Sequence, residues 1–104
     1  MMNKMGDTKL WTVVVTDFFS DRLLMVASID ELCLRLSFHT KIAHYYSQSS
    51  KSIWVKGSKS GNLQLIQSVY YDCDCNSLNF RVIIMGCGRA CHTLRPTCFY
   101  RQLW

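Results

Sequence analysis

Short β-branched, apolar runs separated by polar turns dominate this chain, and the pattern predicts strands far more often than helix. Residues 11–16 (Trp-Thr-Val-Val-Val-Thr) form the first run, Asp17 to Asp21 reads as a turn, and residues 23–27 resume as the second arm of a hairpin. Residues 43–48, 53–56, 63–73 and 78–85 read as further strands, parted by Ser-, Lys- and Gly-rich turns. One stretch has a different period. Ile29, Leu32, Cys33 and Leu36 fall at i, i+3, i+4 and i+7, which predicts one amphipathic helix of about ten residues with Cys33 on its buried face. Ser28 and Glu31 match a capping box at its start. From Gly86 onward, two glycines and Pro96 leave a loop built around cysteines. The expected fold is α+β, a mostly antiparallel sheet with one clear amphipathic helix, in a single domain over residues 1–104.

Composition narrows this. With 49% apolar residues and one proline among 104, the chain is globular rather than disordered, though small for a self-sufficient core. Its aromatic content suggests that some apolar surface is buried against a second subunit. No run reaches the roughly 18 to 20 apolar residues of a membrane span. Lys4, Asp7 and Lys9 open the chain without the apolar run of a signal peptide, so a cytoplasmic location is expected. There, six cysteines are reduced thiols, some of them metal ligands, rather than a disulfide framework. A pI of about 9.0 calls for an anionic partner. No basic helix or stacking motif supports nucleic acid, which leaves phosphate esters.

The charge is unevenly spread. After Glu31 there are nine Lys or Arg and only two acids, Asp72 and Asp74, on either side of Cys73. Two lone carboxylates astride a thiol in a basic field suggest a cation site. If residues 70–75 are extended, the two aspartates share one face, about 7 Å apart, where they can converge on Mg²⁺, and Cys73 faces the other way toward a softer metal. The plainer alternative is a turn of exposed aspartates around a buried thiol. Cys91 and Cys98 need a third ligand to make a zinc site, and Cys73 is a candidate. Cys73, Cys75, Cys87 and Cys91 could equally close a structural zinc, and spacing does not separate the two. The loop Gly57-Ser-Lys-Ser-Gly61-Asn62 has the composition of a phosphate cradle without the P-loop pattern, and its plainer reading is a hairpin connection. Of the histidines, His92 follows a candidate ligand directly.

Six blocks occur in order: His44-Tyr-Tyr-Ser47, Trp54-Val-Lys56-Gly57, Ser60-Gly-Asn62, Asp72-Cys-Asp74, Ala90-Cys-His-Thr93 and Cys98-Phe-Tyr-Arg101. In residues and spacing they resemble phosphoribosyl-AMP cyclohydrolase, the histidine-biosynthesis enzyme, over nearly the whole chain, in the form without the fused phosphoribosyl-ATP pyrophosphatase domain. The resemblance implies an interlocked homodimer with zinc shared across its interface, Cys73 coming from one subunit and Cys91 and Cys98 from the other. It implies Mg²⁺ on Asp72 and Asp74, and hydrolytic opening of the adenine ring of phosphoribosyl-AMP at the N1–C6 bond. Water must be activated to attack a purine carbon, which an open zinc position can do. His92, with His44 as second choice, is nominated as the base, and Lys56, Lys59 and Arg95 as phosphate contacts.

The chain departs from the family at several points. Asn76 stands where a third acid is usual, which predicts weaker Mg²⁺ binding through an amide oxygen. Ser58 replaces an acid, Leu94 a glycine, and Gln48 and Ser50 lie in a stretch that normally bears arginines. These departures leave an alternative: a diverged, catalytically weakened homologue that keeps a structural zinc and nucleotide binding.

Overall fold

A computed structural model describes residues 9–86 and 97–104. Among these residues, six strands and one helix follow in chain order: β1 (Trp11–Asp17), β2 (Leu23–Ile29), α1 (Glu31–Thr40), β3 (His44–Ser47), β4 (Ser52–Val55), β5 (Gln64–Tyr71) and β6 (Ser77–Ile84). They form one sheet in the order β4-β3-β2-β1-β6-β5. Adjacent strands pair antiparallel except β1 and β6, which run parallel with Thr12 opposite Ser77 and Thr16 opposite Arg81. The fold is therefore α+β with one helix, as expected, but its sheet is mixed. Period-two patterning reports each strand's faces and is silent on the direction of a partner far along the chain.

Alternation builds the core. Val13 and Val15 on β1 and Phe80 and Val82 on β6 point inward, where they join Leu24, Met25, Ile29, Ala43 and Tyr45. Tyr45 is fully buried, packs on Trp54 at 5.1 Å between ring centroids and donates its hydroxyl to Gln64 Oε1. Gln64 Nε2 contacts Met25 Sδ, so both ends of this buried amide are partnered.

Three expectations change here. The helix is capped by Asp30, not Ser28: the Asp30 carboxylate accepts from the Cys33 amide at 2.8 Å, while Ser28 belongs to β2 and lies opposite Thr12 and Tyr46. A serine held in a ladder is not available as a cap, and the aspartate two residues on takes the role. The buried helix positions are Cys33 and Ser37, whereas Leu32 is exposed and Ile29 ends a strand. Cys33 is completely buried, as expected, and desolvation together with the Asp30 carboxylate pushes its thiol up to about 12. Finally, the Gly57–Asn62 loop is no hairpin connection. It joins β4 to β5, the two edges of the sheet, and the sheet curls so that Ile42, just before β3, bridges to Leu65 on β5.

Candidate functional site

The parallel pairing of β1 and β6 divides the candidate residues between two ends of the sheet. Beyond Ser77 lies the turn that carries Asp72 to Asn76. Beyond Ile84 lie Gly86 and the Gly57–Asn62 loop packed against it, while Thr97 and Cys98 return to β2 two strands away, level with the middle of β6.

At the turn end, residues 72–76 are not extended. The Cys75 amide donates to the Asp72 carbonyl at 2.9 Å, and Cys75 takes the left-handed conformation at φ 58°. Asp72 Oδ1 accepts from the amides of Asn76 and Ser77 at 2.9 and 3.1 Å. An aspartate that captures two amides ahead of it makes the chain turn here, and this local bond overrides the alternation that would have put Asp72 and Asp74 on one face. Cys73, Asp74, Cys75 and Asn76 are all exposed and Asp72 is half-buried, so the plainer reading holds for the turn and for Asp74, but not for an exposed Asp72 or a buried thiol. The Asn76 amide oxygen accepts from the Ser77 hydroxyl at 3.3 Å. A groove of about 240 Å³ opens beside the turn, lined by Val14, Tyr70, Tyr71, Asp72, Leu78 and Asn79 among others.

The loop end is held by close backbone packing. A Cβ on Gly57 (φ 84°) would sit 2.1 Å from the Asn62 carbonyl oxygen, and one on Gly86 (φ 75°) would sit 2.4 Å from Asn62 Oδ1. Lys56 leaves β4 directly into this loop, and Lys59 lies exposed upon it. His44 pairs with Val55, next to Lys56. Its Nδ1 lies 2.8 Å from the Ile42 carbonyl oxygen. A carbonyl can only accept, so Nδ1 carries the hydrogen and Nε2 of the neutral ring is left with its lone pair. Gln48 and Ser50 are turned to local structure, Gln48 donating to Ser28 Oγ and Ser50 sharing a hydrogen bond with Ser52.

Cys98 is exposed, and its amide donates to the Leu24 carbonyl at 2.8 Å; Thr97, buried, donates its hydroxyl to the carbonyls of Leu23 and Leu24. Leu24 lies beside the Val15 and Thr16 rows of β1, and those rows meet Phe80 and Arg81 on β6. From Phe80 back to the turn at Ser77 is about 10 Å of strand, and β2 stands two strand widths from β6, about 10 Å more at right angles. Cys73 and Cys98 of one chain are thus on the order of 15 Å apart, whereas thiolates on one zinc lie within about 4 Å of each other. Among the described residues, no group of three or more His, Cys, Asp or Glu side chains is gathered to hold a metal ion. Cys91, His92 and Arg95, like Cys87 of the alternative four-cysteine site, fall outside the described residues. The donor types nonetheless suit the expected ions: exposed thiols for zinc, and carboxylate and amide oxygens on one turn for Mg²⁺.

The family model for phosphoribosyl-AMP cyclohydrolase matches residues 25–100, which takes in both ends of the sheet. A phosphoribosyl-AMP cyclohydrolase of Brucella abortus (strain 2308) is 46% identical over 102 residues, covering 98% of this chain and 86% of that protein. Similar proteins of the same name from Brucella canis and Brucella anthropi are also 46% identical over 98% of this chain and 73% and 72% of theirs. With matches of this extent the chain is an enzyme, a hydrolase. It belongs to the phosphoribosyl-AMP cyclohydrolase family.

Proposed function

We propose that this chain hydrolyses phosphoribosyl-AMP in histidine biosynthesis, opening the adenine six-membered ring at the N1–C6 bond, as a cytoplasmic homodimer of single-domain subunits. Cys73 of one subunit and Cys91 and Cys98 of the other would hold zinc, and Asp72, Asp74 and Asn76 would hold Mg²⁺. The observation that carries this reading is the separation of Cys73 from Cys98: one chain keeps the two thiols on the order of 15 Å apart, so a site using both needs two copies. Among the described residues no helix is long and apolar enough to cross a membrane, in keeping with a chain that works on a water-soluble nucleotide.

Bound zinc would supply the Lewis acidity that makes water competent to attack a purine carbon. The chain's own residues do the rest. His44, its Nδ1–H held by the Ile42 carbonyl, offers Nε2 to take a proton from the attacking water, with His92 the other nominee for that role. Lys56 and Lys59 border a glycine-bearing loop whose basic side chains suit phosphate, and Arg95 would add a third cation. Asp72 has one oxygen committed to the turn and would meet Mg²⁺ through the other.

Incubating the purified protein with zinc, Mg²⁺ and phosphoribosyl-AMP should produce the ultraviolet change of purine ring opening. Sharing between subunits is tested by complementation. Cys73→Ser and Cys98→Ser should each be inactive alone, whereas a co-refolded mixture should regain about a quarter of wild-type activity, because half the dimers are mixed and each mixed dimer holds one intact site. A mixture as inactive as its components would sink the shared site, and no ring opening by the wild type would sink the activity.

A further inference from the structure

Cys75 has no part in the proposed site, yet it lies two residues from Cys73 on the same exposed turn. We infer that Cys73 and Cys75 form a peroxide-responsive dithiol, in which Cys75 captures oxidised Cys73 as a reversible disulfide in the chain before it is loaded with zinc. The consequence for metal binding rests on the reading of Cys73 as a zinc ligand; the disulfide itself rests only on the turn.

Both thiols are exposed, whereas Cys33 is sealed in the core. Residues 73 and 74 are in turn conformation, closed by the Cys75 amide on the Asp72 carbonyl. Two residues along a helix-like turn the Cα atoms stand about 5.5 Å apart, from helical rise and radius. That is the commonest Cα separation of disulfides. No strand ladder holds residues 73–76, so the turn can adjust to bring the sulfurs together without disturbing the sheet. Cys75 also sits at φ 58°, a conformation that glycine or asparagine would take more readily, so backbone preference does not account for a cysteine there.

The oxidant is hydrogen peroxide or an alkyl hydroperoxide. The Cys73 sulfur attacks one peroxide oxygen, the O–O bond breaks, and Cys73 becomes a sulfenic acid as the thiol proton leaves with the other oxygen as water or alcohol. The Cys75 sulfur then attacks the sulfenic sulfur, the S–O bond breaks and a water departs with the second thiol proton. Two electrons pass from the thiols to the peroxide, and a dithiol reductant reverses the result. Without Cys75, the sulfenic acid goes on to the irreversible sulfinic acid. Zinc coordination would occupy Cys73, so the reaction belongs to the metal-free chain.

The full-length chain, stripped of metal by a chelator, should be treated with hydrogen peroxide and its peptides mapped by mass spectrometry. The expected product is an intramolecular Cys73–Cys75 disulfide, with zinc uptake lost and then recovered after a dithiol reductant. In Cys75→Ser, the same treatment should leave Cys73 as sulfinic acid, and reductant should not restore its thiol. No Cys73–Cys75 link in the wild type, or equal recovery in Cys75→Ser, would overturn the inference. A link that forms in a chain whose reduced state takes up no zinc would leave the dithiol standing and count against the zinc reading alone.

Discussion

The two ends of the sheet are held in opposite ways. At the loop end, Gly57 and Gly86 let backbone press against Asn62 closer than any side chain would allow, and the lysines ride on a loop fixed by packing. At the turn end, a single carboxylate, Asp72, gathers two amides and leaves its neighbours in solvent. One end tolerates no added atom at Gly57 or Gly86, whereas the other depends on one hydrogen-bonding group. Substitutions should therefore act on stability at the loop end and on chemistry at the turn end.

The largest effect is expected from Gly57→Ala. Its Cβ meets the Asn62 backbone at a positive φ, and a loss of about 3 kcal/mol or more should appear in denaturant unfolding. Gly61→Ala is the control: it shares a positive φ but faces open space, and should cost only about 1 kcal/mol. Equal losses would break the packing account of that end. At the turn end, Asp72→Ala should cost about 1 to 2 kcal/mol by orphaning the Asn76 and Ser77 amides, while Asp72→Asn, which keeps the acceptor, should fold nearly as well as wild type. Calorimetric titration should then find Mg²⁺ binding weakened in both. Asn76→Asp, which restores a charge to the same turn, should tighten Mg²⁺ roughly tenfold with little change in stability, from ligand charge count.

An effect confined to alkaline pH lies between the two ends. The folded chain keeps the Cys33 proton up to about pH 12, while the unfolded chain releases it near 9.0, so stability should fall as pH rises from about 9 toward 12. Cys33→Ala should flatten that alkaline slope. Part of it should remain, because burial also raises the Tyr45 hydroxyl. An unchanged slope would place the alkaline sensitivity on Tyr45.

Where hydrophobic alternation met no competing bond, the sequence was a sound guide: each of the six described strands begins and ends within about two residues of its apolar run, comparable with the scatter of boundary assignment. It misled where a polar side chain takes over the backbone. Asp30 in place of Ser28 at the helix start, and Asp72 folding residues 72–76 into a turn, both exchange an expected pattern for a local hydrogen bond. The parallel contact of β1 with β6, and the route of the Gly57–Asn62 loop between opposite edges, depend on partners remote in sequence and leave no local signal. For the site, residue types and ordered blocks pointed to the family. The separation of Cys73 from Cys98 could be seen only once strand registers were known.

The parallel centre of the sheet also governs how the chain can be made. Asn79 bonds the Val14 carbonyl across 65 residues of sequence, and every contact between β1 and β6 spans a comparable distance. During synthesis β1 and β2 can pair early, but the other edge of β1 stays open until β6 has left the ribosome. An apolar edge kept waiting that long is a template for the wrong neighbour, another nascent copy included. The same register that divides the site between two ends thus makes β6 the strand that closes the fold, and it ties the yield of native protein to how promptly β6 arrives.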